Sequence, residues 1–254
     1  MGPLGSLMSF HPPSNACAAD LAAKFGRVTS WIFDLDNTLY PQDCGLWPAI
    51  EERITHYLIN HSGLDGASAR ALQRYYYHQH GTTLRGLVEE DHILPHEFLD
   101  FVHDIDRSSL EPNPALGAEI ARLPGRKLIF TNGSRRHALD TLEPLGLSGL
   151  FEDAFDIVAA GFVPKPADAA YDALFLAHGV DPKQAAMFED IAKNLVVPRA
   201  RGMTTVLVTA RPGQADHRQD NDRAAAAIGT LDFVTDNLAG FLASVNDALG
   251  SPPP

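Results

Sequence analysis

Two aspartates, Asp34 and Asp36, directly follow the β-branched and aromatic run at residues 28–33. Such a run is short enough for one buried strand. Ligands of an open α/β sheet bind at the carboxyl ends of its strands, and strand residues two apart point the same way. Crowded carboxylates repel one another unless a cation or a shared proton is present. The stretch therefore predicts a divalent metal site containing a nucleophile. The alternative is a strand followed by an Asx turn, in which Asp36 and Asn37 bond to the backbone.

Short strand-like runs alternate with helical patterns from residue 113 to about residue 245. This alternation is typical of a parallel sheet with helices on both faces. A chain of 254 residues can hold one such core together with a smaller insert. We therefore predict an α/β fold, a doubly wound, Rossmann-like parallel sheet, with core segments 25–44 and 111–249. Residues 211–228 are predicted to be a loop with one helical turn, to which we assign no role.

A long insert separates the two aspartates from the next strand. More than ninety residues lie between Asp36 and Thr131, and a single crossover needs far fewer. Helical spacing of apolar residues predicts that residues 45–110 form a helical cap inserted after the first strand. Residues 1–24 are expected to be an expression-tag remnant and a flexible tail, in which a short helix can begin at Ala18.

Polar residues also follow the later apolar runs. The run at 127–130 ends at Thr131, and the run at 185–188 ends at Glu189-Asp190, while Lys165 lies between two prolines. In chain order these motifs give two acids, a hydroxyl, a lysine and an acid. This order, with its placement after strands, resembles the haloacid dehalogenase-type phosphohydrolase superfamily over residues 28 to about 237.

The resemblance implies a catalytic role for each motif residue. Asp34 would be the nucleophile that forms an aspartyl-phosphate. Asp36 would protonate the leaving group as general acid and then activate water as general base. Thr131 and Lys165 would bind phosphate oxygens, with help from the backbone around Asn132.

The resemblance also implies a magnesium (Mg2+) site. Asp34, the backbone carbonyl of Asp36, and Asp190 would hold the ion, with waters and phosphate completing an octahedron. Glu189 could join the metal, although a supporting contact from behind it is favoured. Asn194 stands at a position that is usually acidic in the family, and its uncharged amide leaves that role less secure.

A narrower resemblance concerns the substrate. Residues 34–41, the cap segment 75–87 and residues 188–190 together look like the pyrimidine 5′-nucleotidase branch. The branch implies a nucleoside monophosphate, UMP or CMP, as the small phosphorylated metabolite that this chain binds. Substrate contacts are then expected from Thr82, Thr83 or Arg85 in the cap, because a base-recognising lid needs a stacking face and a few hydrogen-bonding groups.

Several residues have plainer interpretations. Thr131 could only cap the next helix, Lys165 could be an exposed loop lysine, and Ser134 is expected to be a helix N-cap. Histidines, including His78, His80 and His137, have no metal-ligand spacing. We therefore predict that they are surface or packing residues.

The alternatives for function come from different classes. One is a phosphatase for another small metabolite, such as a sugar phosphate or phosphoglycolate. Dehalogenation is disfavoured because a dehalogenase needs no acid at Asp36, and the cap motif disfavours a phosphomutase. Non-enzymatic alternatives are a receiver-like or phosphate-binding protein; receivers are about half this length and have no helical insert.

The formal net charge of −12 argues against nucleic acid or an anionic membrane as the main partner, since both require a basic surface. Two cysteines and the lack of a secretory segment predict a cytoplasmic protein. No apolar run in the sequence approaches the roughly 20 residues of a membrane span. The sequence gives no prediction of oligomeric state.

Overall fold

The computed structural model describes residues 18–214 and 231–250. The expected tag remnant and the first part of the predicted tail lie outside these ranges. Most of the predicted loop at 211–228 also lies outside them. Within the described ranges, no helix combines the length and the apolar character needed to cross a membrane.

The predicted parallel sheet is confirmed. Its six strands run in the order β3-β2-β1-β4-β5-β6, and every neighbouring pair is parallel. The chain builds β2 and β3 on one side of β1 and then crosses to build β4 to β6 on the other side. The strands span β1 Ser30–Phe33, β2 Arg126–Phe130, β3 Asp153–Phe155, β4 Ala185–Glu189, β5 Thr204–Val208 and β6 Phe233–Thr235.

Helices cover both faces of this sheet, so that neighbouring side chains of one strand enter different apolar clusters. Trp31 and Phe33 belong to one cluster, and Ile32 belongs to the other. The helices are α1 Ala18–Phe25, α2 Leu46–Ser62, α3 Gly66–His80, α4 Thr83–Glu90, α5 Pro95–Val102, α6 Pro114–Arg122, α7 Arg135–Leu142, α8 Asp168–His178, α9 Val196–Ala200 and α10 Leu238–Gly250. Short 3₁₀ turns lie at Gln42–Cys44, Pro182–Gln184 and Ala192–Leu195.

Helices α2 to α5 form the inserted cap, which has its own apolar cluster. Tyr76 is one of the buried cap residues, so at least one of the three consecutive tyrosines packs this core. Gly86 lies directly against it: a Cβ at Gly86 would come within 2.3 Å of the Tyr76 ring. The glycine in the cap motif therefore lets α3 and α4 approach closely.

The beginning of the core differs from the prediction. The short helix expected from Ala18 is present as α1, but its apolar residues Leu21 and Phe25 are buried, although Leu21 was assigned to the flexible tail. Phe25 stacks on Trp31 with ring centroids 5.6 Å apart. Apolar burial against the sheet and α10 orders this segment. The composition of the short stretch gave little indication of that contact.

Candidate active site

The carboxyl ends of three neighbouring strands bring the polar motifs together. Asp34 follows β1, Thr131 follows β2, and Glu189 ends β4 with Asp190 directly after it. Parallel strands present their carboxyl ends at the same edge. Strands are added to one side of the sheet after β1 and to the other side from β4 onwards, so the topological switch point lies between β1 and β4. The motifs therefore converge where an open α/β sheet binds its ligands.

Lys165 is the buried cation of this cluster. Its Nζ donates to Asp34 Oδ1 at 2.6 Å, to Glu189 Oε2 at 2.8 Å and to the carbonyl of Phe130 at 2.8 Å. The residue is only 2% exposed, which excludes the alternative of an exposed loop lysine. Asn132 fixes the loop around it, since its Oδ1 accepts from the Lys165 N–H at 2.9 Å.

Burial shifts the pKa values of both partners of this pair. Burial raises the pKa of Asp34 to about 7, the Glu189 carboxylate adds to the rise, and the Lys165 ammonium opposes it. Burial alone would lower the pKa of Lys165, but the carboxylates of Asp34 and Glu189 raise it above its usual range. The lysine therefore stays charged, and its positive charge lowers the free-energy cost of ionised carboxylates beside it.

Three acids could hold a cation. Carboxylate oxygens of Asp34, Glu189 and Asp190 all lie within 4.8 Å of one another, and the three residues are buried. Hard oxygen donors suit magnesium. Glu189 already accepts from Lys165 through Oε2, and from Asn194 and the Ile191 N–H through Oε1. Glu189 therefore holds Lys165 by a hydrogen bond from the same position in which it could also contribute to a metal site.

Asp36 departs from the other acids. Its Oδ1 accepts hydrogen bonds from His137 Nε2 at 2.8 Å and from the Tyr40 hydroxyl at 2.7 Å. Burial would raise the pKa of Asp36, but His137 above all, and then Tyr40, hold it well below its usual range. With this carboxylate turned towards His137, the contribution of Asp36 to a metal would be its backbone carbonyl, as the family resemblance implies.

His137 is the site residue that sequence reasoning missed. It was predicted to be a surface or packing residue, and it is fully buried as a packing residue would be; the contact of its Nε2 with Asp36 Oδ1 was not foreseen. Ser134 caps α7 as expected, since its Oγ accepts from the His137 N–H at 3.2 Å. The predicted N-cap at Ser134 could have pointed to His137. A residue three positions after an N-cap lies in the first turn of the helix, and this helix begins beside the carboxyl end of β2.

A second histidine, His103, lies beside the first. The two rings stack with centroids 4.3 Å apart and an interplanar angle of 11°. Burial above all lowers the pKa of His103 to about 3, so the His103 ring stays neutral. His103 directly follows α5, in the segment that returns the chain from the cap to the core, and its stacking on His137 packs this segment against α7.

A cavity of about 170 Å³ lies between the strand ends and the cap. The cavity is lined on the sheet side by motif residues from the strand ends, namely Asp34, Asp36, Thr131, Asn132, Lys165 and Asp190. It is lined on the cap side by Trp47, Gln73, Tyr77, Thr82 and Thr83. Thr131 does not cap α7, whose N-cap is Ser134. Its Oγ1 accepts from the Gly133 N–H at 2.9 Å, and the residue faces the cavity.

The cap residues expected to contact substrate behave differently from one another. Thr83 is buried and lines the cavity, while the Thr82 hydroxyl caps α4 by accepting from the Arg85 N–H at 3.2 Å. Arg85 turns instead towards Glu89, to which its Nε donates at 2.6 Å. The i,i+4 spacing on α4 favours that pair, and Arg85 is not among the residues that line the cavity; its substrate contact stays a prediction.

Lys193 joins the core to the cap beside the cavity. Its Nζ donates to the Tyr77 hydroxyl at 2.7 Å and lies 4.1 Å from the Tyr77 ring centroid. Both residues line the cavity. The sequence did not single out this lysine, although it lies only three residues after Asp190.

Known proteins resemble this chain in sequence. The profile of the haloacid dehalogenase-like hydrolases matches residues 31–196. The protein named Phosphate metabolism protein 8 from Saccharomyces cerevisiae is 25% identical over 195 residues, which are 70% of this chain and 60% of that protein. The chain thus matches about 60% of the length of this curated relative.

Solved structures share the fold. An L-2-haloacid dehalogenase from Xanthobacter autotrophicus, with chloropropionic acid covalently bound, has a TM-score of 0.52 at 14% identity and covers 86% of this chain and 98% of its own. A haloacid dehalogenase family hydrolase from Deinococcus radiodurans, with bound phosphate and sodium, has a TM-score of 0.53 at 18% identity and covers 87% and 96%. The sequence profile matches well over half of the chain, from β1 to the start of α9, and this chain therefore belongs to the haloacid dehalogenase-like hydrolase family.

Proposed function

We propose that this protein is a magnesium-dependent phosphomonoester hydrolase that works through an aspartyl-phosphate at Asp34. One observation carries the proposal: the Asp34 carboxylate is buried at the floor of the cavity, 2.6 Å from Lys165 Nζ and beside the acids that follow β4. A carboxylate nucleophile approaching a phosphate dianion is repelled by about 1 kcal/mol per charge pair at 4 Å in water, and by more in a buried site. The lysine cancels part of that repulsion.

The other motif residues divide the remaining work. Thr131 Oγ1, the Lys165 ammonium and the backbone around Asn132 bind phosphate oxygens and hold the ester in line with Asp34. The nucleophilic oxygen of Asp34 forms a bond to phosphorus as the bond from phosphorus to the leaving oxygen breaks. Asp36, whose low pKa leaves it ionised before substrate binds, takes up a proton as the phosphate ester binds and gives it to that oxygen. It then takes a proton from the water that attacks the aspartyl-phosphate, which releases phosphate and restores Asp34.

Magnesium fits the acids at the floor of the cavity. Asp34, the Asp36 backbone carbonyl and Asp190 would hold the ion, and Glu189 would support it from behind while holding Lys165. When bound, the ion supplies positive charge to the phosphate oxygens. Turnover should therefore vanish with a chelator and return with magnesium. Hydrolysis that resists the chelator would contradict the proposed metal dependence.

For the substrate we propose a pyrimidine nucleoside monophosphate, UMP or CMP. Trp47 and Tyr77 offer aromatic surface in the cavity, and Gln73, Thr82 and Thr83 offer polar groups around it. The runner-up is a phosphatase for another small metabolite, such as a sugar phosphate or phosphoglycolate. Asp36 favours either over dehalogenation, in which no leaving alkoxide needs a proton.

Phosphate release from a panel of monophosphates tests the proposal. UMP and CMP should exceed AMP, GMP and sugar phosphates in kcat/KM. Thr83→Val should lower nucleotide turnover and leave p-nitrophenyl phosphate hydrolysis nearly unchanged, because that substrate has no base to recognise. Thr82→Ser, which keeps the capping hydroxyl of α4, is the matched control. Equal rates for purine and pyrimidine nucleotides would refute the base preference, and no release from any monophosphate would refute the phosphatase.

A further inference from the structure

Buried His137 and half-buried Arg107 form a chain of polar side chains that ends on Asp36, and neither residue is among those that line the cavity. His137 Nε2 lies 2.8 Å from Asp36 Oδ1, and the other ring nitrogen, Nδ1, lies 3.0 Å from Nη2 of Arg107. Arg107 also donates to the carbonyls of His103 and Ile105, both at 3.1 Å. These carbonyls belong to the segment between α5 and α6, which returns the chain from the cap to the core.

The arginine decides which nitrogen of His137 carries the proton. A guanidinium has only donors and does not lose its charge in proteins. His137 Nδ1 must therefore accept from Arg107 and cannot itself hold a proton. The proton of the neutral ring is then on Nε2, where it points at Asp36 Oδ1.

Asp36 Oδ1 is consequently saturated. It accepts from His137 Nε2 at 2.8 Å and from the Tyr40 hydroxyl at 2.7 Å. A proton placed on this oxygen would meet two donor hydrogens, so Oδ2 is the oxygen that remains for proton exchange. The stacked ring of His103 holds the plane of the His137 ring.

We propose that Arg107 and His137 are positioning residues that direct the catalytic proton of Asp36 to Oδ2. This inference rests on the proposed role of Asp36 as acid and base. Neither residue is among those that line the cavity, so each acts on the reaction through Asp36. Arg107 bonds to carbonyls of the segment between α5 and α6. The packing of that segment against the core therefore keeps the Asp36 carboxyl group in its orientation.

Variants of His137 separate positioning from packing. His137→Leu fills similar space without a donor, whereas His137→Gln can return an amide N–H to the place of Nε2. We expect His137→Leu to slow phosphorylation by an alkyl phosphate by about 10- to 100-fold, which is at or below the roughly 100-fold minimum for complete loss of acid catalysis because Asp36 itself is retained. Phosphorylation by p-nitrophenyl phosphate, measured as the nitrophenolate burst, should stay near the wild-type rate because its leaving group needs little protonation. KM should change little, and His137→Gln should recover most of the loss.

Arg107 has a matched control in Arg53. Arg53 also donates to a backbone carbonyl near the end of the cap, that of Phe101, at 2.9 and 2.7 Å, and its Nη2 lies 3.3 Å from Asp104 Oδ2 rather than in the Asp36 network. Arg107→Met should reproduce the leaving-group pattern of His137→Leu, and Arg53→Met should not. Equal losses with both substrates, no loss with either, or the same pattern in Arg53→Met would overturn the inference.

A measurement without turnover keeps this inference distinct from the proposed function. In ¹⁵N NMR spectra of the wild-type protein at neutral pH, His137 should show a protonated Nε2 and a bare Nδ1, and Arg107→Met should disturb that pattern. A protonated Nδ1 in the wild type would refute the arrangement even in an active phosphatase. If the wild type releases no phosphate, the proposed function fails, and with it the catalytic role assigned to the pair; the NMR result then decides the hydrogen-bond arrangement alone.

Discussion

Replacing Lys165 by methionine should destabilise the protein strongly when no metal is bound. The substitution keeps most of the side-chain length and removes the ammonium that lies 2.6 Å from Asp34 Oδ1 and 2.8 Å from Glu189 Oε2. All three residues are almost fully buried. Two neighbouring carboxylates would remain out of water without their counter-ion.

The expected size follows from that burial. Removing one partner of a buried ion pair costs about 3–5 kcal/mol, because the remaining charge is left uncompensated. A change of 1 kcal/mol moves Tm by about 2–4 °C in a chain near this size, so we expect a fall of about 6–20 °C. The acids can escape part of the cost by binding a proton, which makes the effect depend on pH.

The direction of the pH dependence can be worked out from Asp34. Its pKa is raised to about 7, above the ordinary value of 3.8, mainly by burial. A group with a raised folded-state pKa contributes stability that is present below its unfolded pKa and lost as pH rises through the folded one. Loss of the lysine raises this pKa further. The deficit of Lys165→Met should therefore be smaller at pH 5 than at pH 8.

Thermal and urea unfolding in a chelating buffer, followed by circular dichroism at both pH values, measures the deficit. Lys183→Met is the matched control, since Lys183 is exposed and its substitution should move Tm by little. Excess magnesium should restore part of the stability by binding the folded state. A deficit below about 1 kcal/mol at pH 8, or a larger deficit at pH 5, would refute the buried ion pair as the source of stability.

Three further predictions concern the nucleophile, a buried histidine and the cap. Asp34→Asn should leave less than about a thousandth of the activity with unchanged circular dichroism, and substantial residual turnover would contradict its nucleophilic role. The pKa of His103 is lowered to about 3, so its contribution to stability is present above its ordinary value of 6.5 and is lost as pH falls towards 3. His103→Phe, which keeps a ring on His137, should flatten the acid side of the stability curve by up to about 1.4 kcal/mol per pH unit in urea unfolding; an unchanged slope would refute it. Gly86→Ala should cost about 1–3 kcal/mol by overpacking against Tyr76, whereas Gly66→Ala, whose nearest neighbour is 3.6 Å away, should cost little; equal melting temperatures would contradict the close approach of α3 and α4.

Much of the fold could be predicted because its signals are local. The short apolar runs, their alternation with helical patterns and the long gap after Asp36 predicted a parallel sheet and an inserted cap, and the sheet order confirms that architecture. Element ends were less certain. Strand β3 has only three residues, and the tail assignment missed the burial of Leu21. Both depend on contacts with distant elements.

The sequence by itself determined which side chains could meet at the carboxyl edge of the sheet, because Asp34, Thr131 and Asp190 each follow an apolar run that forms a strand. Their catalytic roles remain predictions. Only the tertiary structure decided how the charges are arranged: that Glu189 holds Lys165, that Arg85 turns to Glu89, and that His137 supports Asp36 from 101 residues away. The physical reason is that strand periodicity is a property of a few consecutive residues. A buried hydrogen bond instead depends on where a distant partner lies and on which of its atoms carries the proton, and no local pattern specifies either.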